Sequence, residues 1–188
     1  WLDRQHLDHP MEKAGDDDQS KLIQDKGYEH EERFFGSLKA GGASCVEIDP
    51  TWSLEMKLEA TRAAILDGAE VIYQATLKRG NLMGHADFLV RSGRGSRGQW
   101  LYEVADTKLA RSTKAKFLLQ LCFYSDLLSD ITGELPHHMH VELGNGRRES
   151  FRVGDYFHYY RSLLGRMNDY LAAYPDATEV PYPAPCDH

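Results

Sequence analysis

Two aspartates and a lysine form the most reactive group of side chains that the sequence suggests. Asp87 lies in the apolar segment 81–90, Asp106 lies near the end of the segment 99–107, and Lys108 follows two residues later. If these segments are strands, Asp106 and Lys108 point to one face, towards Asp87 on a neighbouring strand. Two adjacent carboxylates repel unless a cation lies between them, and such hard oxygen ligands suit Mg²⁺ or Mn²⁺. A lysine beside them can orient a water molecule, so the group indicates phosphodiester chemistry.

An aspartate and a lysine two residues apart are, by themselves, more often an ordinary surface ion pair. The surroundings change this interpretation. Asp106 and Lys108 end an apolar strand, which follows a strand with a G-x-x-D pattern and precedes a long helix. That helix carries Gln120 and Tyr124, which are four residues apart and therefore share one helical face.

The surrounding pattern predicts the elements that position these residues. Apolar residues recur at helical spacing or in short strand-like runs, separated by glycine-rich turns. Helices are predicted at 21–39, 53–67, 113–132 and 155–173, and strands at 45–48, 70–78, 81–90, 99–107, 138–144 and 148–153. This order predicts an α/β fold with a mixed sheet and helices packed on it.

Several of these motifs resemble the RecB-type branch of the PD-(D/E)XK nucleases. The similar segments are GHADFLV (84–90), YEVADTKLA (102–110) and QLCFY (120–124), and Gly27-Tyr28-Glu29-His30 fits a G-x-x-H-like pattern on the preceding helix. No single motif is specific, but the four occur in the family's order. The resemblance implies a restriction-endonuclease-like core with a mixed central sheet flanked by helices.

The resemblance also implies a role for each matching residue. Asp87 matches the first acidic metal ligand, and Asp106 with Lys108 matches the acidic residue and lysine of the catalytic pair. His30 and the backbone carbonyl of Thr107 match further metal ligands. Gln120 and Tyr124 match the Q-x-x-x-Y helix, which lies along the active site. The expected activity is Mg²⁺- or Mn²⁺-dependent hydrolysis of DNA, on single strands or ends and as an exonuclease.

His30 also has a simpler interpretation from its own helix. It falls on the apolar face with Gly27 one turn before it, which leaves room for close approach. A buried or surface histidine with a purely structural role is the alternative to a metal ligand.

The charge distribution supports a nucleic-acid partner despite the acidic total. The chain has 188 residues and a net charge of −7. Residues 78–120, however, carry nine basic and three acidic side chains, two of which are the proposed metal ligands. A local basic stripe is what phosphate contact requires. The candidate DNA-binding residues are Arg91, Arg94, Arg97, Arg111, Lys114 and Lys116. The alternative is a solvated basic loop without a ligand.

Length and cysteine content lead to the predictions on domain organisation and cellular compartment. The chain is expected to be a single nuclease domain over 1–188 and a fragment of a longer protein, because it begins at Trp1. Three widely spaced cysteines fit a reducing cytoplasm and cannot build an iron–sulfur cluster by themselves. No apolar run is long enough to span a membrane. Associated helicase or ATPase domains are the expected protein partners.

Two other functions compete with the nuclease. His85 and Asp87 form the H-x-D pattern of non-haem iron oxygenases, whose ligands normally lie on an all-β barrel. The second alternative is a nuclease fold that has lost activity and acts as a DNA-binding scaffold.

Other polar residues are predicted to be structural. Glu103 lies three residues before Asp106 and would face away from it unless the strand bulges. His137, His138 and His140 are predicted to begin a strand, with no carboxylate partner nearby.

Overall fold

The fold was examined in a computed structural model that describes residues 18–173. Its four helices are α1 (Asp18–Ala40), α2 (Leu54–Asp67), α3 (Ala115–Thr132) and α4 (Val153–Ala173). Its six strands are β1 (Cys45–Glu47), β2 (Val71–Arg79), β3 (Leu82–Arg94), β4 (Trp100–Lys108), β5 (His138–Leu143) and β6 (Arg148–Arg152). Every predicted helix and strand is therefore present within a few residues of its expected bounds. The acidic segment before residue 18 and the proline-rich tail lie outside the described residues.

The six strands form one mixed sheet in the order β1-β2-β3-β4-β5-β6. The pairs β1–β2 and β4–β5 are parallel, and the other three pairs are antiparallel. The predicted α/β class with a mixed sheet is confirmed. The parallel strand β5 returns beside β4 after α3, so the ends of β4 and β5 lie at the same edge of the sheet.

Helices cover both faces of the sheet. On one face, α2, α3 and α4 enclose the larger core, which includes Ile65, Leu121, Leu128 and Tyr160. On the other face, α1 places Phe35 against Val71, Phe88 and Ala105. The sheet is thus the middle of three layers, the usual way to bury both faces of a mixed sheet.

Helix α1 packs through a narrower surface than its sequence predicts. Only Glu31 and Phe35 are buried in this helix, and Ile23, predicted on the packed face, is 56% exposed. The contact with the sheet lies in the second half of the helix, where Phe34 and Phe35 meet Phe88. The regular spacing of apolar residues overstated the length of this contact.

The connection between β3 and β4 is shorter than the predicted strands 81–90 and 99–107 leave for it, because β3 continues to Arg94. The added residues pair with the start of β4, with a bulge between Arg91 and Gly93. Trp100 stabilises this extension, since the guanidinium groups of Arg91 and Arg94 lie 4.5 and 3.4 Å from the centre of its ring.

The described helices were also compared with the requirements of a membrane span. Within residues 18–173, no helix combines the length and the apolar composition needed to cross a bilayer.

Candidate active site

The site begins where β2 and β3 both change the face that their side chains present. Tyr73 and Phe88 pack with α1, whereas Ala75 and Ala86, two residues further on each strand, belong to the core on the other face. An unbroken strand would keep residues two apart on one face. The switch falls at Gln74, whose φ is 58°, and at Asp87 on the neighbouring strand.

Strands β3 and β4 separate at the same level. The last residues that pair are Phe88 and Ala105, which are the chain neighbours of Asp87 and Asp106. The carboxylate of Asp87 then replaces the missing strand contact, because its Oδ2 accepts hydrogen bonds from the Thr107 backbone N–H at 2.9 Å and from Thr107 Oγ1 at 3.0 Å. Asp87 is thereby fixed beside the end of β4.

Asp106 is a buried carboxylate with an incomplete set of partners. Its side chain is 1% exposed, and Lys108 Nζ lies 2.6 Å from its Oδ2. Apart from that ion pair, neither carboxylate oxygen accepts a hydrogen bond from the described residues. Burial and the nearby charge of Asp87 raise the pKa of Asp106 to about 7, although Lys108 opposes this shift. Such a group is poised to accept a cation or a proton.

Helix α1 adds Glu31, a carboxylate that the sequence analysis did not select. Glu31 is buried, and Gln74 Nε2 donates a hydrogen bond to its Oε1. Burial and the charge of Asp87 raise the pKa of Glu31. Three acidic side chains therefore influence one another here. The signals available in the sequence were a glutamate four residues before Phe35 on the helix and a glutamine inside an apolar strand.

His30 directly precedes Glu31 on the same helix turn. Its Nε2 is 3.1 Å from the backbone carbonyl of Glu142, which is paired with Thr107 across β4 and β5. If Nε2 carries the proton and donates to this carbonyl, Nδ1 is the nitrogen left for a cation. The structure thus brings His30 to the strand next to Asp106, and Thr107 lies between them.

Helix α3 closes the site from the other face. Gln120 Nε2 donates to the Tyr124 hydroxyl at 2.9 Å, and burial raises the pKa of Tyr124, with smaller contributions from Asp106 and Asp87. Tyr124 approaches the sheet over Gly84, where an added Cβ would lie 2.5 Å from its ring. The first residue of the G-x-x-D pattern is therefore required for packing.

An apolar groove of about 580 Å³ adjoins the site at Gln120. Its other walls come from the β2–β3 turn, α3 and α4. Its lining has no carboxylate, histidine, lysine or arginine, so the candidate chemistry belongs to the carboxylates rather than to this groove.

The three predicted DNA-binding arginines of the β3–β4 connection lie away from this site. Arg94 is seven residues from Asp87 along β3, which is roughly 20 Å. Arg91 also forms an ion pair with Glu70 at 2.9 Å, and Arg97 lies against the Gly133 carbonyl.

The other three predicted DNA-binding residues follow Lys108 in the chain, at the opposite end of β4. Arg111, Lys114 and Lys116 are exposed and follow the end of β4, between the lysine of the pair and the body of α3.

Glu103, His138 and His140 form a separate cluster. Glu103 Oε2 lies 2.9 Å from His140 Nε2, and Oε1 lies 3.3 Å from His138 Nδ1. The expectation that these histidines lack a carboxylate partner is wrong, because the parallel register of β4 and β5 places Glu103 beside them. Glu103 consequently forms its contacts away from Asp106.

The oxygenase alternative finds little support in this architecture. His85 Nδ1 lies 3.0 Å from Thr76 Oγ1, and Asp87 is held by Thr107. The mixed sheet between helices also differs from the all-β barrel that this alternative expects.

The residues around Asp106 fit a divalent cation by their chemistry. Asp106 has oxygens without hydrogen-bond donors, and Asp87 and Glu31 add negative charge that a hard cation would offset. Among residues 18–173, no three His, Cys, Asp or Glu side chains are already arranged as a metal-binding group. The Lys108 ammonium is the cation that now neutralises Asp106.

No protein-family model matches the sequence, and no curated protein matches it significantly. The geometry of the site therefore has to carry the functional argument.

Proposed function

We propose that this chain is a metal-dependent nuclease domain with a restriction-endonuclease-like core that hydrolyses phosphodiester bonds of DNA. The single observation that supports this most is the carboxylate of Asp106, which is buried beside Asp87 and has Lys108 as its one polar partner among the described residues. Burying such a charge is unfavourable, and ligand chemistry accounts for it better than stability does.

The proposed reaction adds water across a phosphodiester. The water oxygen bonds to phosphorus, the bond from phosphorus to one ester oxygen breaks, and the leaving oxygen takes up a proton. The products are a phosphomonoester and a hydroxyl. A bound Mg²⁺ or Mn²⁺ supplies positive charge at the phosphoryl oxygens and makes water more acidic.

The chain's own residues have distinct parts in this proposal. Asp87 and Asp106 would hold the cation, with His30 Nδ1 and the Thr107 carbonyl as further candidate ligands. Lys108 is 24% exposed and can reach a substrate from its place beside Asp106, where it orients the attacking water and offsets charge on the phosphate. Gln120 and Tyr124 form the wall against which the strand to be cut would lie.

The test is cleavage of end-labelled single- and double-stranded DNA with Mg²⁺ or Mn²⁺. We expect Asp106→Ala and Lys108→Ala each to reduce the rate by at least about 100-fold, because each removes a group placed at the reacting phosphate. Asp155→Ala is the matched control, since Asp155 is exposed and its ion pair is with Arg152, at the end of the edge strand β6.

Activity that survives both substitutions would contradict the proposed site. DNA binding without cleavage in any divalent metal would instead favour the inactive scaffold. Circular dichroism of each variant shows whether a loss of activity reflects a loss of folding.

A further inference from the structure

Two loops that are distant in sequence are joined beside the candidate active site. Lys108 and Leu143 are neighbours across β4 and β5, so the chain leaves both strands at the same sheet edge. The Gly144 N–H donates to the Ala110 carbonyl at 3.2 Å, and Asn145 Nδ2 donates to the Arg111 carbonyl at 3.4 Å. The β5–β6 turn is therefore held against the segment that follows Lys108.

The contact between these loops is close at Gly144. A Cβ at this position would lie 2.6 Å from the Leu109 carbonyl oxygen. The approach needs glycine, and it holds the turn that carries Arg147 against the segment that carries Arg111. The basic rim, as we name it, consists of Arg111, Lys114, Lys116 and Arg147.

The basic rim carries positive charge that the fold itself does not use. Residues 109–117 and 144–148 contain no acidic side chain. Lys114 caps α3 without a capping hydrogen bond, and its first turn has no acidic residue. Cations at a helix N-terminus oppose the helix dipole, so helix stability does not account for these lysines.

Arg147 itself is only weakly engaged. Its side chain is 69% exposed, and its Nη2 lies 3.4 Å from Glu149 Oε1. An exposed ion pair of this kind contributes little to stability. Arg148 differs, because it pairs with Glu142 and lies over the Phe34 ring.

We propose that the basic rim binds the phosphate backbone of single-stranded DNA and that Arg147 is one of its contacts. This inference rests on the proposed function for the choice of nucleic acid as partner. A chain of phosphates is the partner that matches a row of exposed cations extending from Lys108 to the β5–β6 turn. The arginines at the opposite end of β3 lie outside this path.

Binding can be measured without cleavage. The Asp106→Ala chain is titrated onto a fluorescein-labelled 20-nucleotide single strand, without divalent metal, between 50 and 200 mM NaCl. We expect Arg147→Ala in this background to weaken binding several-fold and to reduce the slope of log K against log[salt] by about 0.7, the value for one phosphate contact on a single strand. Glu149→Gln should strengthen binding, because it removes the competing carboxylate.

The matched control is the double substitution Arg94→Ala and Arg97→Ala, which we expect to leave affinity and salt slope unchanged. Gly144→Ala keeps every charge but forces the turn off Leu109, so it should weaken binding as Arg147→Ala does. Thermal unfolding shows whether this variant is folded; if it is not, the Arg147 and Glu149 variants decide the matter.

Three results would overturn the inference. They are an unchanged salt slope in Arg147→Ala, an equal loss in the Arg94 and Arg97 control, and displacement of the DNA by equimolar poly-L-glutamate. If the parent chain does not cleave DNA but this binding pattern is observed, the proposed nuclease activity is contradicted. The proposed DNA binding by the basic rim is then still supported.

Discussion

At the scale of single residues, Asp106 is a buried acidic side chain with Lys108 as its one polar partner among the described residues. It is 1% exposed, and its pKa is raised to about 7 by burial and by Asp87. The folded chain therefore holds a proton that the unfolded chain, with an aspartate pKa of about 3.9, has already released. The contribution of Asp106 to stability therefore declines as the pH rises from about 4 to about 7. Residues retained at such a cost are characteristic of functional sites.

Removing this charge should stabilise the fold. We expect Asp106→Asn to raise the free energy of unfolding above pH 7 on the order of 1–2 kcal/mol, which corresponds to a Tm increase of about 3–6 °C. The gain should shrink towards pH 4, where the parent carboxyl is protonated as well. Differential scanning calorimetry at pH 5 and pH 8 tests this, with Asp155→Asn as a surface control. A variant that is less stable than the parent at pH 8 would show that the carboxylate is well accommodated.

At the scale of the elements, the site depends on the switch at Gln74 and Asp87. Among the described residues, Gln74 is the one non-glycine with positive φ. A left-handed conformation costs roughly 1–2 kcal/mol for an L-residue and persists where the surroundings enforce it. Here the two strands change faces, and Gln74 bonds to Glu31. The strain turns Asp87 towards Thr107 and α1.

A pair of substitutions separates the backbone from the side chain at this switch. Gln74→Asn and Gln74→Val both lose the contact with Glu31, but asparagine tolerates positive φ and a β-branched residue does not. We expect the valine variant to be less stable than the asparagine variant by about 1–2 kcal/mol. Urea unfolding measures the difference. Equal stability of the two would mean that the strand relaxes and that the left-handed conformation is not required.

The switch also explains what sequence reasoning could and could not predict. Strands, helices and the shared strand face of Asp106 and Lys108 follow from spacing within short segments, and these were predicted. The contact of Glu31 with Gln74 joins residues 43 positions apart and depends on one backbone dihedral angle, which no periodicity encodes. The pairing of Glu103 with His140 likewise needed the register of two parallel strands.

The basic residues show the same limit of prediction from sequence. Composition identified the basic stretch 78–120, but it gave no information on which end of the sheet each arginine occupies. The structure places Arg94 over Trp100 at one end and Arg111 beside the β5–β6 turn at the other. Net charge in a window predicts a partner class, whereas the tertiary arrangement determines which charges share a surface.

At the scale of the whole molecule, a buried ion pair joins the sheet to the helical layer behind the site. Asp126 on α3 is 5% exposed, and its Oδ2 lies 2.5 Å from Arg79 Nη2 on β2 and accepts a hydrogen bond from the Tyr160 hydroxyl on α4 at 2.9 Å. Arg161 Nη1 lies 3.6 Å from Oδ1. Burial raises the pKa of Asp126, but the hydrogen bonds from Arg79 and Tyr160 outweigh this and hold it below its usual value. One carboxylate therefore links three elements.

Because the folded pKa of Asp126 is below the unfolded value, its stabilising effect is present above about pH 4 and is lost as the pH falls through the folded value. We expect Asp126→Asn to lower the free energy of unfolding by about 2 kcal/mol at pH 7, since Tyr160 and Arg79, whose side chain is 32% exposed, both lose a charged partner. The difference from the parent should narrow at pH 3. Urea unfolding at both pH values measures it, with Asp130→Asn as the control, because Asp130 is 42% exposed and its ion pair with Arg79 is weak. A gap of the same size at both pH values would show that shape rather than charge holds the three elements together.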